Sequence, residues 1–319
     1  MQEQENRYYP PKPEITDTDR SSIIKTVLSL ALFIGLFLML DIQKNYLFLI
    51  VLVLFLHEIG HLIAMKKYDY KDVGMYFIPF VGAVVTGRKE EVSLKQKAII
   101  TLAGPIPGIV IGILFIIASQ SNDGNLILSY YGVIFVLINV INLLPISPLD
   151  GGRLFESLFF IFSDKLKMTF QFLSAIAIIS LGIMFQMYIL SIFGIFIAMK
   201  VQNGFKLLKI QGKIDELKIN IHTTYANLSD KDYFLIRKEY VQIAKLEKFI
   251  EVQTDNYGDQ EGVLAPAIRN LLKTPIQKDI SGSEKSVFIG IWLAAILASY
   301  YYAFPIIMEF LASLESIQP

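Results

Sequence analysis

Apolar residues in this chain are gathered into long blocks that polar segments separate. The apolar blocks are residues 23–40, 46–65, 97–119, 126–144, 168–184, 186–200 and 287–305. Most of these blocks have the length that a membrane-spanning helix needs. The fifth and sixth form one continuous stretch, which we divide near Phe185–Met187 because a single helix of that length would overshoot a bilayer. The pattern predicts an all-α polytopic membrane protein with about seven transmembrane helices.

One apolar segment does not fit a spanning helix. Residues 74–87 (GMYFIPFVGAVVTG) are rich in β-branched and aromatic side chains, but they are short and interrupted by Pro79 and Gly82. This composition predicts a β-hairpin. We expect it to re-enter the membrane behind shielding helices, because bare backbone is not tolerated in lipid. An apolar hairpin at the membrane surface is the alternative.

A charged segment divides the last apolar block from the others. Residues 201–286 hold Ser229 as a candidate N-cap for a helix over about 230–252, and a shorter helix is predicted near 265–273. The predicted domains are therefore an N-terminal tail (1–22), a transmembrane domain (23–200), a small helical insert (201–286), and a C-terminal transmembrane helix with a short tail (287–319).

Composition and charge support this organisation. Hydrophobic residues make up 54% of the chain and charged residues 18%, which is typical of a multi-pass membrane protein. The net charge is zero, so nothing points to a nucleic-acid partner, and the absence of cysteine excludes cysteine metal sites. Lys44 is the only basic residue in the predicted outer loops. We therefore expect a cell-membrane protein whose N-terminus, tail and insert are cytoplasmic and whose C-terminus is extracytoplasmic.

The candidate chemistry begins in the second apolar block, at His57, Glu58 and His61. Residues four apart lie on one face of a helix, so the two imidazoles can point at the same metal ion, with Glu58 beside it as a general base. His57 lies nine residues before Lys66, which places it about 13 Å from the inner membrane boundary. A structural polar cluster in a membrane scaffold, or a proton path in a transporter, is the non-enzymatic alternative.

A catalytic zinc site needs a third protein ligand and one open position. Asp150 is the candidate, in the segment NLLPISPLDGG. Pro145 and Pro148 break the helix there, and the two glycines that follow allow close approach of the backbone. An interfacial turn with a solvated aspartate is the alternative at this point.

These motifs, taken together and in this order, resemble the site-2 protease family of intramembrane zinc metalloproteases. HEIGH stands in the second apolar block, Asn142, Pro145, Leu149, Asp150 and Gly151 match the family's later motif, and AGPIPG (103–108) is similar to its Gly-Pro motif. The resemblance covers about 46–165, the three-helix catalytic core. Ser147 stands where many members have a proline, and Gly108 where many have an asparagine.

The resemblance implies one Zn²⁺ per chain, held by His57, His61 and Asp150, with Glu58 activating a zinc-bound water. It also implies that Asn142 helps to hold the substrate or the transition state. The expected activity is hydrolysis of peptide bonds within or next to transmembrane segments of membrane-protein substrates. A membrane prenyl-protein endoprotease, with a later glutamate such as Glu156 as the third ligand, is the alternative enzyme.

Substrate contacts are expected at the hairpin and at the broken helix. An edge strand within 74–87 can take an unwound substrate segment by β-addition, which points to Val84 and Val85. Pro145 and Pro148 shape the unwound segment beside Asn142. The expected partners are transmembrane protein or peptide substrates and membrane lipid, and the sequence leaves homo-oligomerisation open.

Overall fold

The computed structural model describes residues 9–15, 22–39, 44–78, 82–121, 125–244, 246, 250 and 257–315. The fold of these residues is mainly helical. The helices are α1 (Ser22–Met39), α2 (Lys44–Lys67), α3 (Leu94–Ala103), α4 (Pro105–Ser121), α5 (Leu126–Asn142), α6 (Asp150–Phe159), α7 (Asp164–Met184), α8 (Tyr188–Glu216), α9 (Asp230–Ile243), α10 (Glu261–Leu271) and α11 (Gly282–Glu315). The strands are β1 (Lys71–Ile78), β2 (Gly82–Arg88), β3 (Val92–Ser93) and β4 (Ile276–Gln277).

Among the described residues, most of each apolar block lies in helix. By length and composition, five helical segments of the described residues can cross a membrane: Lys44–Lys67, Leu94–Ser121, Asp164–Met184, Tyr188–Glu216 and Gly282–Glu309. Helices α1 and α5 are apolar but shorter. Helix α7 ends at Met184 and α8 begins at Tyr188, where the length of the apolar stretch predicts an interruption of the helix. Large apolar side chains on these helices are exposed, including Met39, Phe48 and Leu126, as surfaces that face lipid require.

One predicted span is not a continuous helix. The block at 97–119 is divided at Gly104 into α3 and α4, with Pro105 opening the second helix. Proline cannot donate a backbone hydrogen bond, and it is tolerated in the first turn of a helix, where its N–H would be unpaired in any case. The side chain of Ser93 caps the N-terminus of α3 by accepting from the backbone N–H of Gln96 at 3.0 Å.

Helices α4 and α5 pack closely because glycines face each other. A Cβ added to Gly112 would lie 2.7 Å from the carbonyl oxygen of Gly132, and one added to Gly132 would lie 2.7 Å from the oxygen of Gly112. Small residues of this kind allow membrane helices to approach until their backbones touch. The close approach places the C-terminal half of α5 against the start of α4.

Strands β1 and β2 form the predicted hairpin, antiparallel and longer than residues 74–87. Met75 is opposite Val85 and Tyr76 is opposite Val84. Gly82 has a positive φ of 112°, a conformation that suits glycine at the end of a turn. Pro79 lies outside the described residues. Since the structure contains no membrane, re-entry of the hairpin stays a prediction.

Helix α1 lies along the outer edge of β1. The hydroxyl of Thr26 donates to the backbone carbonyl of Met75, and the backbone N–H of Phe77 donates to the hydroxyl of Ser29 at 3.0 Å. Phe33 and Phe77 also stack edge to face, with ring centroids 6.0 Å apart. Side chains of α1 therefore satisfy backbone groups that an isolated hairpin would leave unpaired at this edge.

A second compact unit consists mainly of residues 199–277, together with the N-terminal segment 9–15. Its core gathers apolar side chains of α8, α9 and α10, among them Ile214, Tyr233 and Ile268. The predicted domain boundary at 200/201 falls inside α8, which continues to Glu216. Ser229 caps α9 by accepting from the N–H of Asp232 at 3.0 Å.

The two helices of this unit differ in length from their predictions. Helix α9 ends at Ile243, whereas the sequence predicts a helix to about 252, and most of residues 245–256 lie outside the described ranges. Helix α10 spans Glu261–Leu271, so it begins before the predicted 265.

Part of the predicted N-terminal tail belongs to the second unit. Lys12 donates its ammonium group to the carbonyl oxygens of Tyr225 and Ala226, each at 2.8 Å, and its backbone N–H to Asp230 at 2.9 Å. The hydroxyl of Tyr225 donates in turn to the carbonyl of Pro13 at 2.7 Å. Segment 9–15 is therefore fixed to this unit.

A buried charged cluster joins α9 to α10. The guanidinium of Arg237 lies 2.6 Å from a carboxylate oxygen of Glu261, and both side chains are almost fully buried. The hydroxyl of Tyr233 donates to the other carboxylate oxygen. Burial and this hydrogen bond to Glu261 hold the pKa of Tyr233 well above its usual range.

Removing one member of this cluster should loosen the second unit. In Glu261→Leu the charge of Arg237 stays buried without its carboxylate, which costs about 3–5 kcal/mol for such pairs. Hydrogen–deuterium exchange on the full-length protein should show faster exchange in α9 and α10.

The exposed Glu216 provides the control, because Glu216→Gln should leave this exchange unchanged. The double variant Arg237→Met/Glu261→Leu should recover most of the protection, since neither charge of the pair is then buried. Equal exchange in Glu261→Leu and the unchanged protein would contradict a stabilising role for the pair.

Candidate active site

Helix α2 carries three buried polar side chains in an apolar surrounding. His57, Glu58 and His61 are exposed by only 3%, 5% and 6%. The two imidazoles lie one helical turn apart, as their spacing predicts, and their Nε2 atoms are 3.1 Å from each other. Both ring nitrogens therefore point at one buried position beside Glu58.

Asp150 meets the histidines at this position. It is the first residue of α6, and its Oδ2 atom lies 3.0 Å from Nε2 of His57 and 3.0 Å from Nε2 of His61. The side chain is 5% exposed. The alternative of a solvated interfacial aspartate is thus not what the structure has, and the predicted trio of His57, His61 and Asp150 is assembled.

Glycines allow the backbone to bring Asp150 to this place. A Cβ added to Gly151 would lie 2.0 Å from the carbonyl oxygen of Leu143, and one added to Gly152 would lie 2.5 Å from that of Ile146. Any other residue at either position would push the start of α6 away from the end of α5. The Asp-Gly-Gly sequence is therefore a packing requirement as well as a motif.

The loop between α5 and α6 is also supported from α11. The indole N–H of Trp292 donates to the carbonyl of Leu143 at 2.7 Å, and the ammonium of Lys285 donates to the carbonyl of Leu158 at 2.9 Å. These bonds satisfy carbonyl groups at the end of α5 and of α6, which have no partner inside their own helices. Sequence reasoning did not assign α11 to the site.

Both histidines are held through their second ring nitrogen. Nδ1 of His61 lies 2.7 Å from the carbonyl oxygen of Ile100, and Nδ1 of His57 lies 2.7 Å from Oδ1 of Asn139. Both partners are acceptors, so each ring can donate from Nδ1 and offer Nε2 as a ligand atom. Each Nε2 faces Asp150.

Asn139 is the site residue that sequence reasoning missed. The predicted asparagine, Asn142, lies one turn further along α5, where its amide donates to the carbonyl of Ile138 at 3.0 Å. The available signal was a second amide in an apolar helix, which is rare in a membrane span without a partner.

The remaining predicted residues lie on other elements. Pro145 and Pro148 lie in the loop between α5 and α6, and Val84 and Val85 lie in β2. Arg153 is partly exposed and places a guanidinium nitrogen 3.7 Å from Oδ1 of Asp150, the oxygen that does not face the histidines.

Glu156 does not join the site, although it is also buried. Its carboxylate accepts from the amide of Gln171 at 2.9 Å and lies 3.8 Å from the ammonium of Lys167. This arrangement disfavours the prenyl-protein endoprotease alternative, which needs a glutamate as the third ligand.

The donor set of the trio fits a metal ion. Two imidazole nitrogens and one carboxylate oxygen all lie within 4.8 Å of one another. Ligands of a tetrahedral Zn²⁺ at about 2.0–2.1 Å would be about 3.3 Å apart, close to the observed separations. Three lone-pair atoms in contact repel one another unless a proton or a cation lies among them. His57, His61 and Asp150 could therefore bind a metal.

Comparison with known proteins agrees with this chemistry. Residues 45–126 match the model of Peptidase family M50, and this range contains the histidines and glutamate of α2. A zinc metalloprotease of Methanocaldococcus jannaschii is 23% identical over 244 residues, which are 72% of this chain and 68% of that protein.

The chain resembles the site-2 protease family, peptidase family M50, through this range. It is also 30% identical to stage IV sporulation protein FB of Bacillus subtilis, over 37% of this chain and 40% of that protein. The solved site-2 protease of M. jannaschii is 24% identical, covers 56% of this chain and 87% of its own, and superposes with a TM-score of 0.41.

The matched family consists of metalloproteases, which implies a metal, generally zinc. The matched range ends at residue 126, so it contains neither Asp150 nor Asn139. The contacts of α5 and α6 with the histidines place these two residues in the candidate site.

A substitution at Gly104 tests whether close packing holds the imidazole of His61 in place. A Cβ at this position would lie 2.4 Å from Nε2 of His61, so Gly104→Ala should displace the imidazole. We expect zinc binding to fall at least tenfold and proteolysis to be lost. Zinc content after dialysis against a chelator measures the first effect.

Gly290→Ala is the matched control, because a Cβ there meets no atom within 4 Å. It should leave zinc content unchanged and favour the α11 helix slightly. Full zinc retention in Gly104→Ala would show that the contact with His61 is not needed.

Proposed function

We propose that this protein is an intramembrane zinc metalloprotease that hydrolyses peptide bonds within or next to the transmembrane segments of membrane proteins. The observation that carries the proposal is the meeting of Asp150 Oδ2 with both imidazole Nε2 atoms, each at 3.0 Å, among apolar helices. In this proposal His57, His61 and Asp150 would hold one Zn²⁺.

Glu58 is the proposed general base. When bound, zinc would lower the pKa of a water molecule to about 7 and polarise the scissile carbonyl. Glu58 lies next to His57 on the same buried helix face, so its carboxylate can accept the proton as the water attacks and later deliver it to the leaving amine. The surrounding apolar side chains exclude other water and strengthen these interactions.

Asn142 and the two prolines are the proposed contacts around the scissile bond. The amide of Asn142 is half-buried and now donates to its own helix, so it can turn to donate to a developing oxyanion. Pro145 and Pro148 keep the following loop unwound, which opens room for a substrate beside Asp150.

Substrate is proposed to bind along β2 by β-addition. Met75 and Phe77 direct their backbone groups at α1, so they belong to the pairs that do not exchange hydrogen bonds across the hairpin. Tyr76 and Val84 are then a hydrogen-bonded pair, and the backbone of Val85, next in β2, points away from β1. This edge can replace the backbone bonds that a helical substrate loses when it unwinds.

The proposed setting is the cell membrane, with the N-terminus and the insert cytoplasmic. The basic residues of the polar segments support this orientation. Substrates are transmembrane proteins or peptides that reach the site from the lipid.

The general base is tested by Glu58→Gln. This variant should keep the zinc ligands and bind about one Zn²⁺ per chain, while cleavage of a model transmembrane substrate falls about 10²–10⁴-fold. Measurement in detergent or nanodiscs of both zinc content and cleavage separates the two effects.

Glu156→Gln is the control, because this carboxylate is equally buried but turned towards Gln171 and Lys167. It should retain cleavage. Undiminished cleavage in Glu58→Gln would sink the proposed mechanism, and a wild-type protein that binds no zinc would favour the scaffold or transporter alternative.

The substrate-binding edge is tested by Val85→Pro. Proline removes the outward backbone N–H of β2 and leaves the bonds between Tyr76 and Val84 intact, as is tolerated in an edge strand. We expect cleavage to fall at least tenfold while zinc binding is retained.

Val85→Ala keeps the N–H and shortens the side chain, so it serves as the matched control and should cleave nearly as well as the unchanged protein. Val84→Pro should instead disrupt the hairpin itself, since its backbone faces β1. Cleavage by Val85→Pro at the rate of Val85→Ala would exclude β-addition at this residue.

A further inference from the structure

We infer that Asn139 is a positioning residue that fixes the tautomer and the ring orientation of His57 for metal binding, and that Gly108 is small because Asn139 needs the space. The inference rests on the proposed zinc site and extends it to two residues outside the ligand set. Neither residue contacts the position where the three ligand atoms meet.

The first step is the contact itself. Oδ1 of Asn139 lies 2.7 Å from Nδ1 of His57, and the asparagine side chain is completely buried. An imidazole that binds a metal through Nε2 must carry its proton on Nδ1, and an acceptor at Nδ1 favours this tautomer. The short contact also restricts rotation of the ring about χ2.

The second step is the orientation of the amide. The Nδ2 group of Asn139 donates to the carbonyl of Phe135 at 2.7 Å. A carbonyl oxygen can only accept, so the nitrogen of the amide must face Phe135 and the oxygen must face His57. The backbone of α5 thereby fixes which atom of Asn139 is offered to the histidine.

The third step is the fit against α4. A Cβ added to Gly108 would lie 2.2 Å from Nδ2 and 2.6 Å from Oδ1 of Asn139. Side chains at these two positions therefore compete for one volume. In this chain the amide in that volume comes from α5, and the facing position on α4 is glycine.

A simpler role for Asn139 would be to join α4 and α5, as amides often do between membrane helices. The observed hydrogen bonds do not have that form. One bond goes to Phe135 of its own helix and the other to His57 of α2. Gly108 of α4 has no side chain that could bond to Asn139. The side chain thus links α5 to a metal ligand.

Zinc affinity, measured without substrate, separates these roles. Purified full-length protein is titrated with Zn²⁺ in competition with a chromogenic chelator. Asn139→Ala should bind zinc 10–100-fold more weakly, the usual effect of removing the second partner of a ligating histidine. Asn139→Asp keeps an acceptor for Nδ1 of His57 but loses the donor to the carbonyl of Phe135, so it should recover part of the affinity that Asn139→Ala loses.

Gly108→Ala supplies an independent test, because it changes the residue of α4 that faces the amide of Asn139. The added methyl group should push the amide of Asn139 from His57 and weaken zinc binding in the unchanged background. In Asn139→Ala the volume is empty, so the same methyl group should have little further effect. The two substitutions should therefore be strongly non-additive. Gly290→Ala and Ser299→Ala, a buried hydroxyl that donates to Ala295, are the controls and should bind zinc normally.

The outcomes distinguish failure of this inference from failure of the proposed function on which it rests. If the unchanged protein binds no zinc, the proposed function fails and the inference fails with it. If it binds zinc and Asn139→Ala binds equally well, only the inference is overturned. Equally weak binding by Asn139→Ala and Asn139→Asp, or additive effects with Gly108→Ala, would also overturn it, because an acceptor at Nδ1 would then make no difference.

Discussion

Three electron-rich atoms meet at one point inside a bundle of apolar helices, and much of the surrounding structure serves to keep them there. Nε2 of His57, Nε2 of His61 and Oδ2 of Asp150 are within about 3 Å of one another. In a low-dielectric interior such an arrangement is costly unless a cation or a proton lies among the three atoms. Binding of a metal ion removes this cost, so an expensive cluster becomes a strong binding site.

Interrupted helices make the meeting possible. A continuous α3–α4 helix with a larger residue at 104 would drive a side chain into His61, and larger residues at 151 or 152 would separate α6 from α5. In both places a glycine permits close approach, and a proline lies next to it or a few residues before it. Backbone polar groups freed by the breaks are then paired, as when Trp292 donates to the carbonyl of Leu143.

The sequence predicts features that depend on local periodicity or on length. The spacing of His57 and His61 places them on one face of any α-helix, and the apolar blocks mark the helices because lipid demands both length and internal hydrogen bonding. The distinctive Pro-x-x-Pro-Leu-Asp-Gly-Gly pattern likewise identified Asp150. Helix periodicity, segment length and a short motif can be read from the local sequence without knowledge of the tertiary packing.

Features that depend on long-range packing were not accessible in the same way. Asn139 and Asn142 differ by one turn of α5, and which of them faces His57 is decided by how α5 rotates against α2 and α4. The support of the α5–α6 loop by α11 joins residues 149 positions apart. The docking of Lys12 on the turn before α9 joins residues more than two hundred positions apart, and no local pattern announces it.

The packing of the hairpin against α1 determines which backbone groups of the hairpin point outward. Backbone groups of antiparallel strands alternate in direction, so the two hydroxyls that bind Met75 and Phe77 fix the direction of every other backbone group in β1 and β2. One edge of the hairpin is thereby occupied by α1, and the outward groups of Ala83 and Val85 form the other edge. A substrate that unwinds beside α2 must replace its own helical hydrogen bonds to remain stable among apolar groups. The polar side chains of α1 therefore occupy one edge and leave β2 as the edge for the proposed strand addition, although they are remote from His57, His61 and Asp150 in the sequence.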